Sequence, residues 1–464
     1  MYLKLTKFSW VRRSHQLSER TRLLADKPWA GGVLLILCVV VAMTLANLEA
    51  TASAYHEFLT TDFSMRIHSH GGLFNMSFPR NMTVETFVND ALMMIFFFSV
   101  GLEIKREVMH GELSSVQRSI LPVMAALGGM IVPAVIYASL NGGTPVQGGW
   151  GVPMATDIAF AVGILSMLGD RVPLSLKIFL TALAVADDLG AIIVIALFYG
   201  GGVNFTYLLI AAVIMLFVYA INRMGERHLV FYIVAALVVW SLFYYSGVHA
   251  TLSGVVMAML IPTEPRYSKQ YFLRQADDLE HGIVEAASGE DTEFKEEHYY
   301  EQLRRMTRLT SGSIPMSAKL ENTLAPYITF MIMPIFALVN GGVHINADQL
   351  DIFSYSATGG SIGLGVFLGL LIGKPVGIFL MSWLAVKFKL AELPSSSSWL
   401  MLFSVACLGG IGFTMSIFVD TLAFGSISMD YVDSGKIAIL AGSLASAVVG
   451  VVLILLTSRR GAKV

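Results

Sequence analysis

The sequence predicts an all-α polytopic membrane protein, and three observations support this fold class. Of its 464 residues, 55% are hydrophobic and only 14% are charged, whereas a soluble domain carries roughly 25% charged residues. Apolar runs close to the ~20 residues needed to span a bilayer recur along the chain. The basic residues between these runs are concentrated in alternate connections.

The apolar runs predict about twelve transmembrane helices. They lie near residues 31–49, 85–104, 119–140, 148–168, 173–199, 204–222, 229–246, 248–262, 323–342, 359–386, 398–419 and 435–457. Basic residues precede the first run and follow every second run. Arg66, Arg80 and Lys436 are the exceptions to this alternation. By the positive-inside rule, both termini are expected in the cytoplasm.

This alternation predicts the organisation of the chain. It comprises a cytoplasmic N-terminal segment (1–30), spans 1–8 (31–262), a cytoplasmic insertion (263–320), spans 9–12 (321–458) and a cytoplasmic tail (459–464). The insertion mixes acids and bases and predicts solvated structure with one amphipathic helix.

An outer β-hairpin is predicted near residues 61–79. The strings FSMRIH and FNMSF alternate apolar and polar residues on either side of Gly71-Gly72, as hairpin strands do. Because a two-stranded ribbon alone is marginally stable, we expect it to pair with another element, and a second subunit is one candidate. The alternative is a loop without fixed structure.

The strongest functional signal is a pair of aspartates, Asp187 and Asp188, in the middle of the predicted fifth span. A charged side chain at this depth costs ~2.5–3.5 kcal/mol and is retained mainly for function. Successive helix residues point ~100° apart, so one carboxylate can face an ion cavity while the other meets a neighbouring helix. Two structural acids satisfied by hydrogen bonds are the alternative.

Two further spans carry signs of interruption. In GGWGVPMATDIAFAVG, Pro153 and several glycines precede Thr156 and Asp157, which predicts a broken helix at Asp157. In CLGGIGFTMSIFVD, three glycines precede Thr414 and predict a matching break, although glycines also permit close helix packing. The two breaks are expected in spans 4 and 11.

Lys374 is the one basic residue in the middle of an apolar run, in GLLIGKPVGI. At that depth it needs a carboxylate partner or must lose its proton, and Asp187 or Asp157 is the expected partner. The string resembles a phosphate loop only faintly, and its Pro375 replaces the required Ser or Thr. We therefore predict no ATP binding.

The predicted topology gives spans 3–5 and 10–12 opposite directions, which is the arrangement of an inverted repeat. In transporters built this way, paired broken helices place the ion site at the bilayer midplane. An intramembrane aspartyl hydrolase is the alternative enzyme, since two acids can activate water, and a sodium channel is the alternative transporter. Nothing in the sequence indicates a cofactor or nucleic-acid binding.

Several motifs together resemble one transporter family. The extended block ATDIAFAVG…ALAVADDLGAIIVIALFY, with SVGLEIKREV, GVHATLSGVV, LLIGKPVGI and GGIGFTMSIF, closely resembles the NhaA family of bacterial sodium/proton antiporters. The resemblance implies electrogenic exchange of cytoplasmic Na+ or Li+ for external H+ in the bacterial inner membrane. It also implies pH regulation and a homodimer formed through the outer hairpin. The membrane-spanning part would contact lipid.

The resemblance also implies roles for individual residues. Asp187 and Asp188 would bind the transported Na+ or the protons, with Thr156 next to the ion. Asp157 would stabilise the crossing of the broken helices, and Lys374 would pair with Asp187 or respond to proton binding. The expected pH-sensing positions are Glu103, Arg106, Glu107, His249 and Glu321. The 263–320 insertion departs from the family pattern.

Overall fold

The computed structural model describes residues 28–62, 65–68, 75–78, 82–200, 202–287, 293–344, 359–395 and 397–461. Within them the protein is almost entirely helical. The helices are α1 (Pro28–Asn47), α2 (Ala52–Thr60), α3 (Val84–His110), α4 (Val116–Asn141), α5 (Ile158–Met167), α6 (Leu174–Phe198), α7 (Phe205–Arg223), α8 (Leu229–Ser246), α9 (Leu252–Leu260), α10 (Lys269–Ala287), α11 (Glu293–Ser313), α12 (Met316–Asn340), α13 (Ile362–Lys387), α14 (Trp399–Gly409), α15 (Phe413–Phe424) and α16 (Met429–Gly461).

The predicted membrane class is confirmed. Among the described residues, ten helical segments are long and apolar enough to cross a membrane, and the bent pair α14 and α15 would make an eleventh. The predicted span at 248–262 contains only α9, whose nine residues are fewer than the ~20 that a crossing needs. The count of twelve and the inverted repeat therefore remain predictions.

Two short strands lie in the segment predicted to form a hairpin. β1 (Met65–His68) and β2 (Asn75–Phe78) pair antiparallel, with Met65 opposite Phe78. The residues between them, 69–74, which include Gly71-Gly72, lie outside the described residues. The outer location of the hairpin and its role in dimer formation stay predictions.

The insertion contains two helices, α10 and α11, where one was predicted. They pack against each other, with Gly282 facing the side chain of Gln302. The sequence between them, from Ser288 to Thr292, reads SGEDT and is rich in residues that favour turns. The described part of the insertion thus holds one helix more than was predicted.

The described residues form two compact units. One comprises those within Met1–Phe96, Glu107–Gly202 and Pro326–Val464; the other comprises those within Phe97–Arg106 and Val203–Ala325. In the smaller unit, Lys105 donates to the carbonyl oxygens of Met259 (2.7 Å) and Ile261 (2.5 Å). The lysine thus satisfies carbonyls at the end of α9, which have no partner within the helix.

In the larger unit, α4 and α13 cross at two glycines. A Cβ added at Gly128 would lie 2.1 Å from the carbonyl oxygen of Gly377, and the reverse distance is also 2.1 Å. One turn earlier on α13, Gly373 lies against the backbone of Pro133. Only glycine allows this approach of two backbones. The crossing positions Lys374, which begins the same turn as Gly377.

Candidate functional site

Both predicted helix breaks are confirmed. A 3₁₀ segment, Gln147–Met154, ends in extended backbone at 155–157 before α5 begins. α14 ends at Gly409, and α15 leaves the break at an angle of 48° to it. The two breaks touch, because the Asp157 amide donates to the carbonyl oxygen of Ile411 at 2.7 Å.

Asp157 joins the N-termini of two half-helices. Its Oδ1 accepts from the Phe160 amide at 3.1 Å, which makes it the N-cap of α5. Its Oδ2 accepts from the Thr414 amide at 3.2 Å and from the Thr414 hydroxyl. Because helix N-termini carry partial positive charge, a carboxylate here stabilises both. These bonds give a structural basis for the stabilising role expected for Asp157, which stays a prediction.

Ser443 of α16 completes the capping of α15. Its hydroxyl oxygen accepts from the amides of Gly412 (3.2 Å) and Phe413 (3.1 Å). Together with Asp157, it satisfies amides that a helix leaves unpaired at its start. Ser443 carries no sequence motif, so its role could not be predicted.

Lys374 interacts with the negative, C-terminal end of the 3₁₀ segment that precedes the first break. It is 1% exposed, donates to the carbonyl oxygen of Met154 at the end of the 3₁₀ segment, and lies 2.8 Å from Asp187 Oδ2. The helix that carries it contains a π-helical turn, Gly369–Gly373, directly before Lys374 and Pro375. Since Pro375 lacks an amide hydrogen, it favours this irregular turn. Of the two partners predicted for Lys374, the structure selects Asp187.

Asp187 and Thr156 complete the centre of the site. The Thr156 hydroxyl lies 2.5 Å from Asp187 Oδ2 and 3.1 Å from the carbonyl oxygen of Gly409. Asp187 Oδ1 has no hydrogen-bond partner among the described residues. One oxygen of Asp187 is therefore fixed by protein groups, while the other is available to a cation or a proton.

Asp188 lies beside this cluster and is 2% exposed. It acts electrostatically on Lys374, as Asp187 does. Two acids therefore act on one base, and Asp157 at the neighbouring break is also buried, at 1%. The ionised cluster therefore has an excess of negative charge, which favours binding of a monovalent cation or of protons.

Three of the five expected pH-sensing residues form one cluster in the smaller unit. Arg106 forms an ion pair with Glu321 and lies 3.9 Å from Glu103. The Arg106 side chain is 48% exposed and that of Glu321 is 17% exposed, so solvent reaches the pair. The structure thus brings together acids that lie far apart in the sequence.

The other two expected pH-sensing residues have different surroundings. Glu107 Oε2 accepts from the Glu112 amide at 3.1 Å, and it stabilises the turn that follows α3. His249 lies in the connection between α8 and α9, where its carbonyl oxygen accepts from the Leu252 amide at 3.1 Å. Both contacts are local, and a sensing role for either residue stays a prediction.

Sequence reasoning missed a further buried acid, Asp420, which is 0% exposed in α15. It stands in the apolar string FTMSIFVDTLAF, so the cost argument used for Asp187 would have identified it. Lys436 was assigned to a connection, but it lies inside α16 and is 6% exposed. That assignment was wrong and conflicted with the predicted span at 435–457, which already contains Lys436; the helix begins at Met429.

Comparison with known proteins agrees with these features. The chain matches the family described as Na+/H+ antiporter 1 over residues 22–454. It is 41% identical over 422 residues to the Na(+)/H(+) antiporter NhaA of Escherichia coli (strain K12), covering 91% of this chain and 94% of that protein. It is 40% identical over 453 residues to NhaA of Christiangramia forsetii, covering 96% of each chain. The chain therefore belongs to the NhaA family of Na+/H+ antiporters.

Proposed function

We propose that this protein exchanges cytoplasmic Na+ or Li+ for external H+, with both kinds of ion competing for Asp187 and Asp188. The observation that carries the proposal is the buried cluster at the helix crossing, where Asp187 keeps one oxygen without a protein partner. A cation needs deprotonated carboxylates, and protons remove that charge. A site that binds one or the other couples the two flows without a further device.

The cycle follows from this competition. An alkaline cytoplasm leaves the carboxylates ionised, so they bind Na+. The site then closes to the cytoplasm and opens to the outside, where external protons neutralise the acids and release the ion. If more positive charge enters as protons than leaves as Na+, the exchange is electrogenic.

The alternatives explain less of the geometry. An aspartyl hydrolase needs two carboxylates that converge on one water molecule, yet Asp157 already caps two helices and Asp187 pairs with Lys374. A sodium channel needs neither a buried lysine nor paired broken helices. The family relationship also favours a transporter over an enzyme.

We further propose an arrangement in the bacterial inner membrane with both termini in the cytoplasm. The support is the alternation of basic residues together with the NhaA relatives. A homodimer formed through β1 and β2 would give this two-stranded ribbon the additional pairing that its stability requires.

The direct test measures ion-driven proton movement in everted membrane vesicles loaded with a pH-sensitive dye. In everted vesicles the cytoplasmic face is outside, so added Na+ or Li+ should enter in exchange for luminal protons and alkalinise the lumen, across a scan of pH. The reversal potential separates an exchanger from a channel, because only an exchanger's reversal follows the proton gradient as well as the Na+ gradient. Absence of any coupled flux would reject the proposal.

Asp187→Asn and Lys374→Ala form a paired prediction. Asp187→Asn should remove exchange, because the negative charge that balances a bound cation, and the oxygen that accepts a proton, are lost. Lys374→Ala leaves Asp187 without its cation, so Na+ binding should persist while the number of charges moved per cycle changes if Lys374 carries one of the protons. Voltage dependence of exchange in proteoliposomes measures this, and identical voltage dependence in Lys374→Ala and wild type would exclude Lys374 as a carrier.

Glu321→Gln tests the pH-sensing cluster. Gln removes the negative charge of position 321 and with it the ion pair to Arg106. If this pair supports the active conformation, Gln should lower the exchange rate and alter its pH profile. An exposed ion pair is worth about 0.2–1 kcal/mol, so the loss should be no more than about fivefold. An unchanged pH profile of the exchange rate would show that this cluster does not regulate exchange.

A further inference from the structure

Asp420 of α15 is a buried acid that the exchange site does not use. It is 0% exposed, and neither of its carboxylate oxygens has a hydrogen-bond partner among the described residues. An ionised carboxylate in such a place is costly, because its lost hydration is not replaced. Its charge has to be balanced by a bound proton or by a cation.

The groups on α16 that face Asp420 balance its charge only in part. The carboxylate lies against Gly435, where an added Cβ would come within 2.0 Å of Oδ1. Lys436 and Asp433 act on it electrostatically with opposite signs. In the part of the chain that the structure describes, no hydrogen bond joins Lys436 to Asp420. The two acids therefore leave one negative charge more than the lysine supplies.

Two tyrosines also lie within electrostatic range of Asp420, namely Tyr137 and Tyr199. Each donates its single hydroxyl hydrogen to a backbone carbonyl oxygen. Tyr137 donates to the carbonyl oxygen of Val146 at 2.8 Å, and Tyr199 donates to that of Gly148 at 2.9 Å. Neither hydroxyl can donate to Asp420 without breaking its existing bond.

Asp420 is connected to the helix crossing through one face of α15. Ser416 lies one turn before it, and its hydroxyl is likewise buried without a hydrogen-bond partner among the described residues. Residues four apart share a helix face. Gly412 in the break lies on the same face one turn before Ser416, and a Cβ added there would come within 2.1 Å of the Ser416 hydroxyl oxygen. Buried polar atoms thus extend along α15 away from the crossing.

We propose that Asp420 is a second proton-binding site, loaded and emptied during each exchange cycle. The inference rests on the proposed exchange function. In the proposed topology α15 ends at the outer side, so Asp420 lies where external protons would enter. It takes a proton from the outer solution, gives it up toward the crossing and returns to the ionised form, which leaves the exchange stoichiometry unchanged.

A proton suits this position better than a metal ion. A proton bonds to one carboxylate oxygen, whereas Na+ needs a shell of oxygen ligands and would be repelled by Lys436. Within the described residues, no group of three or more acidic, histidine or cysteine side chains could hold a metal ion. Na+ binding at Asp420 is accordingly an outcome that would overturn the assignment.

The first test is infrared difference spectroscopy of the full-length protein in lipid after a pH step. We expect one protonated-carboxyl band that disappears in Asp420→Asn and persists in Asp430→Asn, a matched change at an exposed acid on α16. If Asn at position 420 prevents folding, Asp420→Glu should displace the band. A band unaffected by substitution at 420 overturns the proposal. So does a Na+-sensitive Asp420 band in protein lacking both Asp187 and Asp188 carboxylates.

The second test measures exchange in proteoliposomes at several external pH values. Asp420→Asn should slow exchange about tenfold, and its rate should recover about tenfold per unit of external acidification because proton delivery has become limiting. A wild-type rate and pH profile would reject the role of Asp420. Asp188→Asn separates the two proposals. If it retains exchange, the proposed function itself fails. If it abolishes exchange while Asp420→Asn does not affect the rate, only the inference about Asp420 fails.

Discussion

Asp188→Asn should reduce Na+-dependent proton movement to the level of vesicles without the protein. Asparagine has nearly the shape of aspartate but carries no charge and binds no exchangeable proton at this position. Na+ binding and proton binding at this position are therefore lost together. Dye dequenching in everted vesicles, driven by Na+ across a range of pH, measures the effect.

The matched control is Asp170→Asn, the same chemical change at an exposed acid in the turn between α5 and α6. It should leave exchange unchanged. The amount of folded Asp188→Asn protein, measured by size-exclusion chromatography, should equal that of wild type, since the change removes a buried charge and adds no volume. Exchange retained by folded Asp188→Asn would exclude the carboxylate competition.

The sequence predicted those parts of the site that local chemistry determines. Pro153 and the glycines before Thr414 break helices through backbone properties, so both interruptions were predictable from short strings. The depth of Asp187 and Lys374 in apolar runs indicated function because buried charge is costly wherever it occurs. The same reasoning applied to Asp420 would have found it.

Features determined by tertiary packing could not be predicted. The carbonyl oxygens of Met154 and Gly409 accept hydrogen bonds from Lys374 and Thr156. Any residue can supply a carbonyl, so these acceptors could not be recognised from their residue type. Arg106 and Glu321 are separated by 215 residues, and sequence gave no reason to pair them beyond family resemblance. The packing of α10 against α11 is likewise a contact between segments that no short string indicates.

Gly377→Ala should cause the largest loss of stability among these variants. The added methyl would lie 2.1 Å from the carbonyl oxygen of Gly128, and a backbone group cannot rotate away as a side chain can. Overpacking of this kind costs about 1–3 kcal/mol. We expect a lower unfolding temperature in detergent. We also expect weaker exchange, because displacement of this helix turn moves Lys374 away from Asp187.

The matched control for Gly377→Ala is Gly32→Ala in α1. A Cβ at Gly32 would meet no atom within 4 Å, and alanine is favoured over glycine inside a helix by about 1 kcal/mol. The same substitution should therefore be neutral or stabilising in α1 and destabilising in α13. If both variants unfolded at the same temperature as wild type, α4 and α13 would not cross with their backbones in contact. The position of Lys374 would then need another structural explanation.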